Sequence, residues 1–149
     1  MKRVLFIDVR NAMRSQIAQA WFNYLAKDSG FAQSCGTMPA NQVDPRAVTV
    51  MQEAGLDISH QTPRGVNQQM LAQAGLIVLM GKDIYPEAFA PTYIWDFRDP
   101  GDSMAQVREL RDRIRERVLD LLDEIRLEEL DTITNAAQWR MLIDCLPVP

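Results

Sequence analysis

The chain has 149 residues, enough for about one domain, and its sixteen Lys plus Arg against twenty Asp plus Glu leave a net charge of −4. With 47% apolar and 24% charged residues it has an ordinary globular composition, which excludes a disordered tail protein and a non-specific nucleic-acid binder. The apolar runs fall short of the ~20 residues of a membrane span, no signal peptide follows Met1-Lys2-Arg3, and Cys35, Cys145 and His60 supply neither a disulfide framework nor a zinc site. A cytoplasmic protein is expected, with no cofactor, metal, membrane or nucleic-acid partner.

Val4-Leu5-Phe6-Ile7 is an unbroken apolar run with β-branched and aromatic members, the pattern of a central parallel strand covered on both faces. From Ser15 the period becomes helical, with Ile17, Trp21 and Leu25 four apart and Ala18 and Phe22 on the same stripe. Phe31 to Thr37 reads as a second strand, ended by Gly36 and Pro39. Asp44-Pro45 is a helix start, an N-cap carboxylate before a proline at the first helical position, and Gly55 ends the stripe of Ala47, Val48, Met51 and Ala54. A short helix from about Asn67 to Ala74, with Met70, Leu71 and Ala74 inward, precedes a third buried strand over Leu76 to Met80. Tyr93 to Phe97 predicts a fourth strand, in which Tyr93 and Trp95 pack as strand residues. After the loop Arg98 to Asp102, a long helix starts near Ser103, with Val107, Leu110, Ile114, Val118, Leu121, Leu122 and Ile125 on one face. Arg108, Arg111, Arg113, Arg115 and Arg117, interleaved with acids, form its solvated side.

Strands alternating with helices predict an α/β fold, a three-layer domain with a four-stranded parallel sheet over residues 1–130. Residues 131–149 form a C-terminal helical extension: Trp139, Met141, Leu142, Ile143 and Leu146 before Pro147 suffice for one more short amphipathic helix, packed back on the domain or against a second subunit as a homodimer.

In an open α/β sheet, ligands bind at the carboxyl ends of the strands where the strand order reverses. The loop leaving the first strand there is Asp8-Val9-Arg10-Asn11-Ala12-Met13-Arg14-Ser15. A tight turn with inward N–H groups, a helix N-terminus and an arginine fork makes an anion-binding nest, so Val9, Arg10, Asn11, Ala12, Met13, Arg14 and Ser15 are the candidate anion-binding residues. These features alone also describe any strand-to-helix junction.

Val4 to Gln16 resembles the V-L-F-V-C-x-G-N-x-C-R-S signature of low-molecular-weight protein tyrosine phosphatases and the related thioredoxin-type arsenate reductases. Further segments follow in family order: Ser34 to Thr37, Val43 to Ala47, Met51 to Ser59, Leu76 to Met80 and Trp95 to Pro100. The resemblance covers about the first 125 residues, is closer to the reductases, and implies the low-molecular-weight phosphotyrosine phosphatase fold. In that family the first loop residue is a cysteine nucleophile, the arginine binds the oxyanion, and an aspartate before proline protonates the leaving group. Carried over, Arg14, Asp99, Asn11 and Ser15 are retained, and the catalytic set becomes Asp8, Arg14 and Asp99. Asp8 takes the cysteine position, Arg10 that of glycine, Met13 that of the second cysteine, and Ala12 stands where a hydroxyl often supports the thiolate.

Arsenate reduction needs a thiolate and further thiols to carry the oxidation outward, and this loop has none. Cys35, at a small-residue position ending the second strand, reads as a buried hydrophobe, Cys145 lies in the extension, and His60 reads as a loop residue. Backbone donors and Arg14 favour an ionised Asp8, which is expected to reach Arg14 or Arg10 and fill the nest. Asp96, Asp99 and Asp102, the nearby carboxylates, match no metal motif. Three readings stay open: a homologue without thiol catalysis that acts by binding or regulation; a phosphate-ester hydrolase using Asp8 or a water, with Asp99 as acid; and a binding protein for an oxyanion such as phosphate, arsenate or sulfate. A protein partner belongs to the first.

Overall fold

In the computed structural model, which describes residues 1–145, strand β1 (Lys2–Asp8) lies inside a parallel sheet. It pairs with β2 (Gly30–Gly36) on one side and β3 (Leu76–Leu79) on the other, and β3 carries the short edge strand β4 (Tyr93–Ile94). The order β2-β1-β3-β4 is that of a doubly wound sheet, with its reversal between β1 and β3. The fold is the three-layer α/β domain with four parallel strands that the alternation predicts.

The period of two along β1 divides the core. Val4 and Phe6 join the larger cluster, with α1 (Arg14–Ala26), α2 (Pro45–Glu53) and α4 (Met104–Asp144). Leu5 and Ile7 join Cys35, Met70, Leu79 and Ile84 on the opposite face, where α3 (Gln68–Gln73) packs. Phe6 meets Phe22 and Trp95 at ring-centroid distances of 6.1 and 5.6 Å, fixing the central strand against α1 and the segment after β4.

Local capping matches the sequence. Asp44 Oδ1 accepts the Arg46 N–H at 2.9 Å, Asn67 caps α3, and Ser103 with Gln106 forms a capping box on α4. Gly55 takes φ +87° just beyond α2, where a side chain would be strained.

Three expectations are corrected. First, β4 stops at Ile94: Trp95 N–H still donates to Leu79, but Phe97 N–H turns back to the Trp95 carbonyl at 2.9 Å, and the chain leaves the sheet. Trp95 and Phe97 remain buried in the larger cluster. Second, the extension is not a separate short helix. It continues α4, which runs 41 residues because no glycine or proline falls between Met104 and Asp144. Third, the extension does not pack back on the domain: residues 127–145 are exposed, Trp139 and Ile143 at 67% and 63%. Leu146 and Pro147 lie outside the described residues. A short 3-10 turn at Pro86–Ala88 lies in the connection to β4, where no element is expected from the sequence.

Gly36 closes β2 directly under the loop that leaves β1. A Cβ there would lie 2.6 Å from the Val9 carbonyl oxygen and 2.8 Å from the Asn11 nitrogen, both backbone atoms that cannot rotate away. Gly36→Ala is therefore expected to lower stability in urea titration by about 1–3 kcal/mol, the range of overpacked positions.

Candidate anion-binding site

The loop 8–13 curls over the carboxyl end of β1 and is held from outside by the segment after β2. Met38 N–H donates to Val9, Ala40 N–H to Arg10 and Asp44 N–H to Ala12, at 2.7 to 2.9 Å. The β1–β2 register that pairs Asp8 with Gly36 brings these stretches together.

Asp8 is 2% exposed, and its carboxylate points into the loop. Oδ1 accepts the Asn11 N–H at 2.6 Å and Oδ2 the Ser15 N–H at 2.9 Å, so two donors of the turn are bound to the chain's own carboxylate. Burial dominates its titration and pushes its pKa up; the Ser15 and Asn11 hydrogen bonds and the charge of Arg14 pull the other way. The loop donors and Arg14 favour the ionised form as expected, but burial outweighs them. Asp8 does not reach an arginine, which corrects that expectation: among the described residues its hydrogen bonds run to the loop backbone, and the ion pairs of Arg14 run elsewhere.

Arg14, 3% exposed, is clamped by the loops after β3 and β4. Its Nη1 donates to the Phe97 carbonyl at 2.9 Å, the Met80 carbonyl at 3.3 Å and Asp83 Oδ1 at 3.1 Å, while Nη2 donates to Asp83 Oδ2 at 2.9 Å. Asp99 Oδ1 stands 3.3 Å from Nε with its own side chain 72% exposed. Hydrogen bonding to Arg14 lowers the pKa of Asp83. Although burial lowers the Arg14 pKa, Asp83 and Asp99 outweigh it and raise the value.

Asn11 is the hub beneath the loop, at φ +50°. Its Nδ2 donates to Ser15 Oγ and Ser34 Oγ at 2.7 and 2.9 Å, and its Oδ1 accepts the Arg64 N–H at 2.9 Å and Gln16 Nε2 at 3.1 Å. One amide thus ties the loop after β1 to α1, β2 and the segment leading to α3.

Above the loop opens a cavity of about 440 Å³. Asp8, Arg10, Ala12, Met13 and Arg14 line it from the loop, with Asp44, Arg46, Asp99 and Pro100 opposite. Val9, Asn11 and Ser15 are not among its walls: Asn11 and Ser15 bind Asp8 from below, and Val9 packs against the second core cluster. The three catalytic candidates do come together there. Of the other carboxylates, Asp96 pairs with Lys82 at 3.6 Å, and neither it nor Asp102 lines the cavity. Among the described residues, no group of three or more His, Cys, Asp or Glu is placed to hold a metal ion.

Asp83, Ser34 and Arg64 escape sequence reasoning, as does the place of Asp44 and Arg46 on the cavity wall. Asp83 had a usable signal: it follows β3 by a few residues and so lies at the same sheet edge as the loop after β1. Neither thiol lines the cavity. Cys35 is fully buried, and burial together with the charge of Asp8 pushes its pKa up to about 12; Cys145 is exposed beyond the end of α4.

Residues 3–131 match the family model of the low molecular weight phosphotyrosine protein phosphatases. The chain belongs to that family. Among its members, a glutaredoxin arsenate reductase from Synechocystis is 30% identical over 131 residues, 84% of this chain and 99% of that protein. An arsenate reductase from Staphylococcus epidermidis is 32% identical over 121 residues, 76% of this chain and 91% of that one. Of solved members, an arsenate reductase in a phosphate-binding state superposes with a TM-score of 0.74 at 30% identity, covering 84% of this chain and 99% of its own. The arginine phosphatase YwlE from Geobacillus stearothermophilus shares the fold, with a TM-score of 0.77 at 20% identity, covering 88% and 97%. The family match ends inside α4, so the last part of that helix lies beyond it. Among the described residues no helix is long and apolar enough to cross a membrane.

Proposed function

We propose that this chain is a member of the arsenate-reductase side of the family that works by binding an oxyanion without thiol chemistry, Asp8 standing at the family's nucleophile position. One observation carries the reading: the Asp8 carboxylate accepts the Asn11 and Ser15 N–H groups that line the inside of the loop. A carboxylate is itself an oxyanion, and here, held by these two donors, it forms part of the wall of the cavity in which an anionic ligand would sit. The relative solved in a phosphate-binding state supports phosphate-like anions as the ligand class.

Arg14 remains suited to recognition. Its Nη1 edge and one Nη2 hydrogen are committed to Asp83 and two carbonyls, which fixes the guanidinium plane. The Nε–H and the second Nη2 hydrogen form the remaining edge, a fork that matches two oxygens of a tetrahedral anion. Asp99 stands at that edge on an exposed side chain and must swing outward when an anion arrives. The pocket is thus guarded by two carboxylates, one below in the loop and one at the mouth, and the resting protein binds oxyanions weakly.

Thiol chemistry is absent from this reading because the buried Cys35 stays protonated and Cys145 lies far along α4. Purified protein is expected to show no thioredoxin- or glutaredoxin-dependent arsenate reduction, and any phosphate-ester turnover is expected to survive iodoacetamide. Loss of turnover on alkylation contradicts the proposal. Turnover that resists alkylation but disappears in Asp8→Asn replaces it with a hydrolase in which Asp8 is the nucleophile and Asp99 the acid.

A further inference from the structure

The cavity over the loop is lined by as many arginines as aspartates: Arg10, Arg14 and Arg46 against Asp8, Asp44 and Asp99. Most of these charges already have partners. Arg46 gives Nε and Nη2 to the two carboxylate oxygens of Asp44, at 3.2 and 2.9 Å, and Nη1 to the Gly101 carbonyl at 3.1 Å. Arg14 is held by Asp83 and faces Asp99, while Asp8 is held by the Asn11 and Ser15 N–H groups. Arg10 is the exception. It is exposed, and among the described residues its side chain donates to no acceptor and pairs with no carboxylate; the ion pairs on the wall are Arg46 with Asp44 and Arg14 with Asp99. Asp44 feels the Arg10 charge, but its lowered pKa is due first to the hydrogen bond from Arg46, and Arg10 contributes least.

The backbone fixes where this unpaired charge starts. The Arg10 carbonyl accepts the Ala40 N–H at 2.8 Å and the Val9 carbonyl the Met38 N–H at 2.7 Å, so the side chain leaves an anchored turn. The positive φ of the turn falls on Asn11 and not on Arg10, so a side chain is accommodated at a position where the family has glycine. The cavity is also larger than a bare anion needs. The five heavy atoms of phosphate fill at most about 150 Å³, taking each as a water of ~30 Å³, against about 440 Å³ here. That volume suits a small organic molecule, and Ala12, Met13, Ala40, Pro45 and Pro100 add apolar surface to the wall.

Building on the oxyanion-binding reading above, we propose that the ligand is a tetrahedral oxyanion on a short carbon body that carries a second anionic group, with the oxyanion on the Nε edge of Arg14 and the second group on Arg10. Arg10 is then the residue that sets specificity. Inorganic phosphate leaves its charge and the apolar wall unused, and a cationic tail meets it as a like charge.

Three phosphonates with three-carbon bodies test this without turnover, since the carbon–phosphorus bond is not a phosphate ester. Propylphosphonate has a neutral tail, 3-phosphonopropionate an anionic one and 3-aminopropylphosphonate a cationic one. Each is titrated calorimetrically, beside inorganic phosphate, into the full chain and into Asp8→Asn. Both proteins are expected to favour 3-phosphonopropionate over propylphosphonate about threefold to fivefold, the worth of a partly exposed ion pair, and to bind 3-aminopropylphosphonate most weakly. Arg10→Gln is expected to abolish this preference and Arg10→Lys to keep most of it. Neither should change thermal unfolding, because the Arg10 side chain has no partner among the described residues. Equal affinity for the anionic and neutral tails, a preference that survives Arg10→Gln, or tightest binding of the cationic tail overturns the role of Arg10 and, where phosphate binds, leaves the oxyanion reading standing. Failure of phosphate and all three phosphonates to bind either protein overturns both.

Discussion

Asp8→Asn is expected to bind inorganic phosphate at least tenfold more tightly than the parent at neutral pH, by calorimetric titration. The exchange removes a buried negative charge with little change of shape from a loop whose other features suit an anion. At ~4–6 Å and an effective dielectric of ~20, one unit of like charge costs about 3–4 kcal/mol, or two to three decades in affinity. The gain falls short of that limit because the Asn side chain turns an N–H group toward one of the two donors that Asp8 now satisfies, from Asn11 or Ser15.

The pH dependence of the difference is fixed in sign. Burial raises the Asp8 pKa above its ordinary value of 3.8, so the folded state holds this proton more tightly than the unfolded one. Its contribution to stability is fully present below 3.8 and is lost as pH rises through the raised folded-state value. Asp8→Asn should therefore gain stability relative to the parent between acid and neutral pH. Its advantage in phosphate affinity should shrink over the same interval as the parent's carboxyl becomes neutral. Asp8→Cys is expected to go further and restore weak thiol-dependent phosphatase activity, since Arg14 and Asp99 already face the cavity. The restored activity should be low, because Ala12 offers no supporting hydroxyl and Arg10 lies on the cavity wall where the family has glycine. Equal phosphate affinity in parent and Asp8→Asn refutes the inhibitory role of Asp8.

The second large effect is on stability. Asn11→Ala removes an amide that makes four hydrogen bonds, to Ser15, Ser34, Arg64 and Gln16, and strands polar groups in a buried layer. Alanine also fits poorly at φ +50°, a conformation asparagine tolerates. A loss of about 3–5 kcal/mol is expected in urea titration, the size associated with breaking a buried network. Asn11→Gly separates the two causes: it relieves the backbone and not the lost partners, so it should recover about 1 kcal/mol of the alanine deficit. An Asn11→Ala protein as stable as the parent shows that the amide is not the hub that holds the loop.

Residue order was enough wherever short-range physics decides the outcome. The apolar run of β1, the Asp44-Pro45 start of α2, the Ser103 cap and the core stripe of α4 each rest on residues a few positions apart, and each element forms near its expected place. The loop after β1 and its family likeness were legible for the same reason. Tertiary structure alone decided the partners of the charged side chains. Arg14 is near Asp8 in sequence and binds instead to Asp83, 69 positions away, because the crossovers bring the loops after β3 and β4 against its guanidinium. Ser34 and Arg64 meet Asn11 only because β2 pairs beside β1 and the chain before α3 returns over Gly36. The pKa of Asp8 followed the same rule: its donors can be anticipated from the loop, but how deeply it is buried depends on everything packed above and around it, and burial won. The direction of the last turns of α4 was likewise undetermined by their apolar residues. Whether such residues fold back depends on a chain break, and the unbroken helix carries them past the domain.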